Sequence, residues 1–405
     1  VEIMGVEIRP VRKEEMKEFR HSTETAFLPS PTDQPESPMR PEWTLCAFED
    51  GNLATSYAAW PLTMRFNGKA LQTAGVTAVG TLPHYRRRGY LRKITAVHFQ
   101  KLHEEGTQPL AVLWAMYAAI YQRYGYAVVS NCNRYSIEPR YLQFPLAREV
   151  PGRLYEVTDS EGAVLKELYR EFVSDKTGYI HRVQQLWDNS ILVKPAKGRV
   201  LRQLIYKEDD RPLGYVIYEA LHHPGPEVNS PPYQRIRIRD LTWLSISAYR
   251  AIWDYFAQHD VARDVCWEAP TDDPLPHLLL EPRRLNMTSR DSLLGRIIDI
   301  DGVLAGRDYP EEGGLIFEIV DDDLCPWNNG RWKFETSGPE SSVTPSTREP
   351  ELIMPVSTMV MLVFGQISAT EAARMGRLDA NEKKALPKWD KIMRTMYRPF
   401  CPDDF

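Results

Sequence analysis

Apolar positions recur along this chain with two periods, and the points where one period replaces the other mark its elements. Residues 6–9 (VEIR) read as a strand, and residues 13–27 as a helix with Met16, Phe19 and Phe27 as its apolar positions. A loop rich in Pro and Ser follows over 28–41. Strands at 43–48 and 53–60 flank Asp50, Gly51 and Asn52, a hairpin turn, and Asn67-Gly68 marks a second hairpin leading into a strand over 70–79. Beyond Pro83, the spacing of Leu91, Ile94, Val97 and Leu102 predicts a helix from Arg88 that Gly106 closes. The continuous apolar run 109–115 predicts a buried strand, 117–125 a short helix and 126–130 a returning strand.

From residue 152 to about 286 the pattern recurs more loosely. It predicts a helix at 164–173, a hairpin of 201–206 and 214–219 about Asp209 and Asp210, a strand at 236–243, a helix at 248–258 and a short strand at 264–267. A third segment opens with residues 296–300 and a helix at 302–305. Its hairpin pairs 314–320 with 330–335 through Asn328-Asn329-Gly330, and 359–365 and 369–375 read as helices. Strands and helices are mixed rather than regularly alternating, so the fold class is α+β. A chain of 405 residues divides into two or three domains.

Composition narrows the function. Hydrophobic residues make up 43% and charged residues 26%, the balance of a soluble globular protein. A net charge of −5 leaves no electrostatic footprint for nucleic acid and suits a cationic substrate. Cys46, Cys132, Cys266, Cys325 and Cys401 are scattered without a C-x-x-C pair, which argues for reduced thiols in a cytoplasm rather than zinc or disulfides. The first twenty residues lack the apolar core of a signal peptide, and the run 352–364 is too short and interrupted to span a bilayer. Walker, G-x-G-x-x-G, H-E-x-x-H and G-x-S-x-G motifs are all absent from the sequence.

Arg86, Arg87 and Arg88 sit between a predicted strand and a predicted helix N-terminus, which already carries partial positive charge. Glu104 and Glu105 lie at the opposite, equally disfavoured end. An anion at the helix start would offset both, and free backbone N–H groups there form a phosphate cradle that Gly89 leaves open. The other reading of these residues is a solvated basic turn. The stretch Arg86-Arg87-Arg88-Gly89-Tyr90-Leu91, following a strand, resembles motif A of the GNAT acyl-CoA N-acetyltransferases, which grips the pyrophosphate of acetyl-CoA. Leu91 stands where many members have Gly or Ala, and RRRG followed by two bulky residues resembles the Eis branch of that superfamily. The resemblance implies that backbone groups of Val79 and Thr81 hold the pantetheine arm, and that Arg86, Arg87, Arg88 and Gly89 hold the pyrophosphate.

Residues 120–126, I-Y-Q-R-Y-G-Y, resemble motif B, which implies Tyr121 as the general acid for the leaving CoA thiolate, with Tyr124 and Tyr126 as packing residues. Without the motif A resemblance, three tyrosines on a short helix read rather as interior aromatics with satisfied hydroxyls. An amine acceptor also needs a base, yet residues 69–82 contain no Asp or Glu, and His84 falls in the arginine turn as a phosphate neighbour. The Eis resemblance supplies one: the α-carboxylate of a C-terminal phenylalanine, here Phe405, with Asp403 and Asp404 extending a negative patch. A disordered acidic tail is the alternative for the same residues. Glu24, Phe27, Asp33, Glu36, Trp43 and Asp404 are assigned to the mouth of the acceptor site by position relative to the family.

The resemblance therefore implies tandem GNAT folds, each a mixed, mostly antiparallel sheet with flanking helices, followed by a sterol carrier protein-like α/β domain. The boundaries are 1–148 for the catalytic domain, 149–290 for a degenerate domain without cofactor and 291–405 for the third. The implied activity is direct acetyl transfer from acetyl-CoA, without a metal, to a primary amine of an aminoglycoside, polyamine or lysine-like acceptor. A homo-hexamer with no nucleic-acid or membrane partner is the expected assembly. An acetyl-CoA sensor and a lipid-binding protein without turnover remain the other readings.

Overall fold

A computed structural model describes residues 2–3, 5–27, 39–158, 161–195, 198–223 and 233–405 of the chain. Its first seven strands are β1 (Glu2–Ile3), β2 (Val6–Arg9), β3 (Cys46–Glu49), β4 (Asn52–Phe66), β5 (Lys69–Thr81), β6 (Leu110–Trp114) and β7 (Ala127–Val128). Helix α1 (Met16–Phe27) follows β2, and α2 (Tyr90–Glu105) joins β5 to β6. The expected strand from residue 43 begins only at Cys46, because Pro41–Trp43 form a helical turn. The next strand runs past Trp60 to Phe66, since Leu62, Met64 and Phe66 continue the alternation and are buried. In α2 the buried stripe is Tyr90, Ile94, His98 and Leu102, with Thr95 and Phe99 beside it, and the N–H of Gly106 closes the last turn on Leu102 and His103.

The second sheet uses β8 (Asn131–Ile137), β9 (Arg153–Glu156), β10 (Arg199–Glu208), β11 (Arg211–His223), β12 (Tyr233–Trp243), β13 (Ala262–Pro270) and β14 (Thr288–Asp291), in the order β14-β8-β13-β12-β11-β10-β9. Helices Gly162–Phe172 and Ile246–Ala257 pack on it, and Asp209 and Asp210 make the β10–β11 turn in left-handed conformations.

Strand β15 (Leu293–Ile297) departs from the sequence pattern. Residues 296–300 are predicted to open the third segment, but β15 enters the first sheet, between β6 and β7. All five of its residues are buried, so it needs neighbours on both edges and both faces. Arg296 is fully buried within it and bonds to Asp322 and to the carbonyl of Tyr124. The returning strand expected over 126–130 accordingly shortens to Ala127–Val128, after which the chain crosses into the second sheet as β8.

The third sheet contains β16 (Gly313–Val320), β17 (Gly330–Thr336), β18 (Ser341–Pro345), β19 (Leu352–Pro355) and β20 (Asp379–Ala380). Strands β16 and β17 pair antiparallel as expected, but Gly330 begins a strand rather than ending a turn. The connection instead includes the helical turn Pro326–Asn328, held by Asn328 bonds to Ile298, Ile300 and Asp322. Helix Val356–Phe364 packs with β4 side chains Leu62, Met64 and Phe66 in one core, so the third unit is seated on the first sheet. The opposite face of that sheet buries α2. The architecture is α+β throughout, and among the described residues no helix is long and apolar enough to cross a membrane.

Candidate active site

Two parallel strands part company at the centre of the first sheet. β5 and β6 pair only from Thr73 opposite Leu110 to Val76 opposite Leu113. Beyond Val76, β5 is bent by a bulge against β4, with Ala78 at φ 53°. The β5 edge from Thr77 to Thr81, which includes Val79, therefore runs on without β6, and its backbone groups face the gap. The Thr81 hydroxyl is held 3.0 Å from that of Thr55.

The chain then turns through Pro83–Tyr85 and Arg86–Gly89 into α2. The helix starts at Tyr90, two residues later than its apolar spacing suggests, because Gly89 caps it at φ 79°, a conformation that favours glycine. A Cβ at Gly89 would meet no protein atom within 4 Å. No side chain caps the first turn, so its N–H groups are available to an anion.

The three arginines do different things. Arg86 donates from Nε to the Thr81 carbonyl at 3.2 Å. Arg88 donates to Glu49 at 2.6 Å and to the His84 carbonyl at 3.2 Å. Both brace the turn. Arg87, itself at φ 64°, is exposed and makes no side-chain bond among the described residues. His84 packs at a tilt against Tyr85 with ring centroids 4.2 Å apart.

Tyr121 lies in the short helix Ala118–Gln122 that follows β6. Its ring meets Tyr126 edge-on at 5.9 Å, while Tyr124 and Tyr126 are buried in the core beneath. Burial, with a smaller push from Tyr124, raises the Tyr121 phenol to about 12, so it keeps its proton near neutrality and remains a donor.

The end of the chain docks against this gap rather than trailing from it. Phe405 packs on the core shared by the first and third units, and a Cβ placed on Gly75 would lie 3.0 Å from its ring. Gly75 is paired with Val112 of β6 and stands opposite Trp60 of β4, one residue before the β5–β6 pairing ends. Trp114, the last residue of β6, donates from its indole to the Asp403 carbonyl at 2.9 Å. Asp403, expected beside Asp404 in an acidic patch, instead faces inward and is buried. Its carboxylate accepts from Arg182 Nε at 2.7 Å and from the Tyr169 hydroxyl at 3.3 Å. Arg182 is simultaneously bidentate on Asp240, at 2.6 and 3.0 Å, and lies over the ring of Tyr169. Burial pushes the Asp403 carboxyl up, against the pull of Arg182. Asp404 does face outward, with its pKa raised by surrounding protein and by Glu268.

Of the residues assigned to the mouth, Trp43 packs at a tilt against Trp60, ring centroids 5.0 Å apart, which places it one side chain from Gly75 and its Phe405 contact. Phe27 and Glu24 are exposed on the last turns of α1, whose Ala26 lies against Gly80 of β5. Asp33 and Glu36 lie outside the described residues. Among the described residues no group of three or more His, Cys, Asp or Glu forms a cluster able to hold a metal ion.

Comparison with known proteins gives this geometry a lineage. Residues 7–129 match a GNAT acetyltransferase domain, residues 178–297 a second GNAT domain and residues 300–402 a sterol carrier protein domain. Over 79% of this chain and 77% of its own length, the N-acetyltransferase Eis of Mycobacterium tuberculosis is 26% identical. The crystal structure of Eis1 from Mycobacterium abscessus superposes with a TM-score of 0.81 at 25% identity, covering 98% of this chain and all of that one.

This chain belongs to the Eis-family GNAT acetyltransferases.

A Streptomyces avermitilis protein described as an uncharacterized N-acetyltransferase is 27% identical over 99% of both chains. A GCN5-related N-acetyltransferase from Anabaena variabilis shares the fold with a TM-score of 0.86 at 24% identity, covering 99% of this chain and all of that one. Like other GNAT domains, that of this Eis-family chain implies acetyl-CoA as cosubstrate, and the chain is an acyltransferase. The freed β5 edge and the uncapped N-terminus of α2 fit an extended thioester arm ending in a pyrophosphate.

Several residues of this site carry no signal in the sequence pattern. Gly75 and Trp114 are inconspicuous within strand runs, although a tryptophan ending a buried parallel strand is a clue, since ligands gather at such ends. Arg182 is 58 residues from Asp240 and 221 from Asp403 along the chain, and nothing local links them.

Proposed function

We propose that this protein transfers the acetyl group of acetyl-CoA directly to a primary amine of a cationic acceptor. The observation that carries the reading is the docking of the last residues, with Phe405 against Gly75 at the point where β5 and β6 separate. In this reading the Val79 to Thr81 edge lies along the pantetheine arm, while the first turn of α2 and Arg87 take the pyrophosphate; Arg86 and Arg88 hold the turn in shape. The α-carboxylate of Phe405 takes a proton from the acceptor ammonium. The neutral nitrogen attacks the thioester carbonyl, a C–N bond forms, the C–S bond breaks, Tyr121 gives its phenolic proton to the departing sulfur, and the second proton that the nitrogen sheds as the amide forms restores the phenol. The elevated pKa of Tyr121 supports a donor that is charged with its proton before each turnover. Assembly as a homo-hexamer belongs to the same reading, and sedimentation of the full chain tests it.

The direct experiment is CoA release from acetyl-CoA across aminoglycosides, polyamines and lysine peptides, using protein that ends at Phe405. Turnover with at least one amine is the expected result. Binding of acetyl-CoA with no release on any amine would replace the enzyme reading by that of a sensor.

A further inference from the structure

Next to the docked tail, a cleft of about 1760 Å³ runs along the second sheet and reaches Trp114 and Asp404 at the active-site end. Arg235, Arg237 and Arg239 of β12 line it. Ile236 and Ile238 alternate with them and are buried, so the two-residue period of the strand turns the three arginines toward the cleft. Their charges are not equally spent. Arg235 is bidentate on Asp264 at 2.7 and 2.9 Å. Arg239 pairs with Glu219 and donates to the carbonyls of Ile191 and Val193. Arg237, between them, is exposed, and its side chain makes no hydrogen bond or ion pair among the described residues.

The glutamates nearest to these arginines are already shared. Glu219 already serves Arg199 as well as Arg239, and Glu268 is shared by Arg134 and Arg290, so each cluster is left with a positive charge over. Ser292, buried in the same lining, has a hydroxyl without a partner among the described residues. The carboxylate of Asp404 stands in the same lining, near enough to feel Arg237 and Arg290 through space but bonded to neither. A cleft whose lining sets an uncommitted cation near an exposed carboxylate is suited to a ligand that carries both charges.

We propose that this cleft binds the acceptor through an anionic group, a carboxylate or a phosphate, held by Arg237, with the acceptor's amine directed to Asp404 and the end of the chain. The acceptor is then an amine bearing an acid group rather than a simple polycation. The inference rests on the amine-acetylating reading of the active site and names its substrate class.

Matched acceptors test it. Lysine and 1,5-diaminopentane differ by one carboxylate, and glucosamine 6-phosphate and glucosamine by one phosphate. For the full chain, kcat/KM is expected to favour the acidic member of one pair by about tenfold or more, the contribution of a charge-assisted hydrogen bond. Arg237→Ala is expected to shrink that ratio toward one and Arg237→Lys to restore part of it; the pair that responds identifies carboxylate or phosphate. A ratio that is the same in wild type and Arg237→Ala overturns the proposal. If no amine is acetylated, the amine reading fails by itself, and titration of succinate and inorganic phosphate into CoA-saturated protein decides the anion site. Binding that Arg237→Ala abolishes upholds the site, and binding that is absent or indifferent to the substitution overturns it.

Discussion

Arg182 and Asp403 meet at 2.7 Å with neither side chain exposed to solvent, and through that contact the second domain holds the last residues of the chain beside the first sheet. A buried ion pair is weak evidence for stability, because desolvation offsets most of the Coulomb attraction. Its value here lies in position: Asp403 is two residues from Phe405, its carbonyl is fixed by Trp114, and Arg182 is itself fixed by Asp240. Asp403→Asn is expected to lower kcat at least tenfold while acetyl-CoA affinity, measured by calorimetry, stays near the wild-type value. A parallel loss of cofactor affinity would mean that the pair supports the whole fold rather than the tail.

Adding a few residues after Phe405 carries a sharper expectation. The ring would still fit against Gly75, but its α-carboxylate would become an amide and lose its ability to accept a proton. Turnover is expected to vanish with acetyl-CoA binding intact. Equal rates for extended and native chains would remove Phe405 as the base.

The arginine turn predicts an asymmetry among its members. Arg87→Ala removes a side chain with no protein partner among the described residues, so its cost falls on cofactor affinity, roughly 1.5–3 kcal/mol for one charge-assisted contact. Arg88→Ala instead releases Glu49 and the His84 carbonyl, and is expected to loosen the turn, with a smaller direct effect on the phosphates. Titration of both variants with CoA and with dephosphorylated pantetheine separates the two: only an arginine that contacts phosphate discriminates between these ligands.

Tyr121 gives a pH signature. Burial disfavours its phenolate and raises its pKa from 10 to about 12, so the acid form persists through the alkaline range. With Tyr121 as proton donor, kcat is expected to show no fall on the alkaline side up to about pH 10.5. Tyr121→Phe is expected to lower kcat by about 10²- to 10⁴-fold, as for loss of a general acid. An alkaline limb near pH 9 that persists in Tyr121→Phe would assign the titration to another group.

Much of the fold is legible because its signals are local. The two hairpins at Asp50-Gly51-Asn52 and Asn67-Gly68, the stripe along α2 and the apolar run of β6 each depend on residues within a few positions of one another. The glycine and arginines of the turn are equally local, since a strand end and a helix start are adjacent in the chain by construction of the motif. The swap of β8 into the second sheet and β15 into the first is not legible in this way: β8 is short and largely polar, β15 short and apolar, neither names its sheet, and their pairing is chosen by partners more than a hundred residues distant.

By itself, then, the sequence determined the α+β class, the strand–turn–helix that presents backbone N–H groups to an anion, and the placement of Tyr121 just after a buried strand. Tertiary structure decided how β5 parts from β6, which arginine of the turn is left uncommitted, and that Asp403 faces inward to Arg182 while Asp404 faces the cleft. The division follows from the range of the forces: hydrophobic period and turn chemistry act between neighbours in sequence, whereas a buried ion pair depends on where three distant segments are brought together.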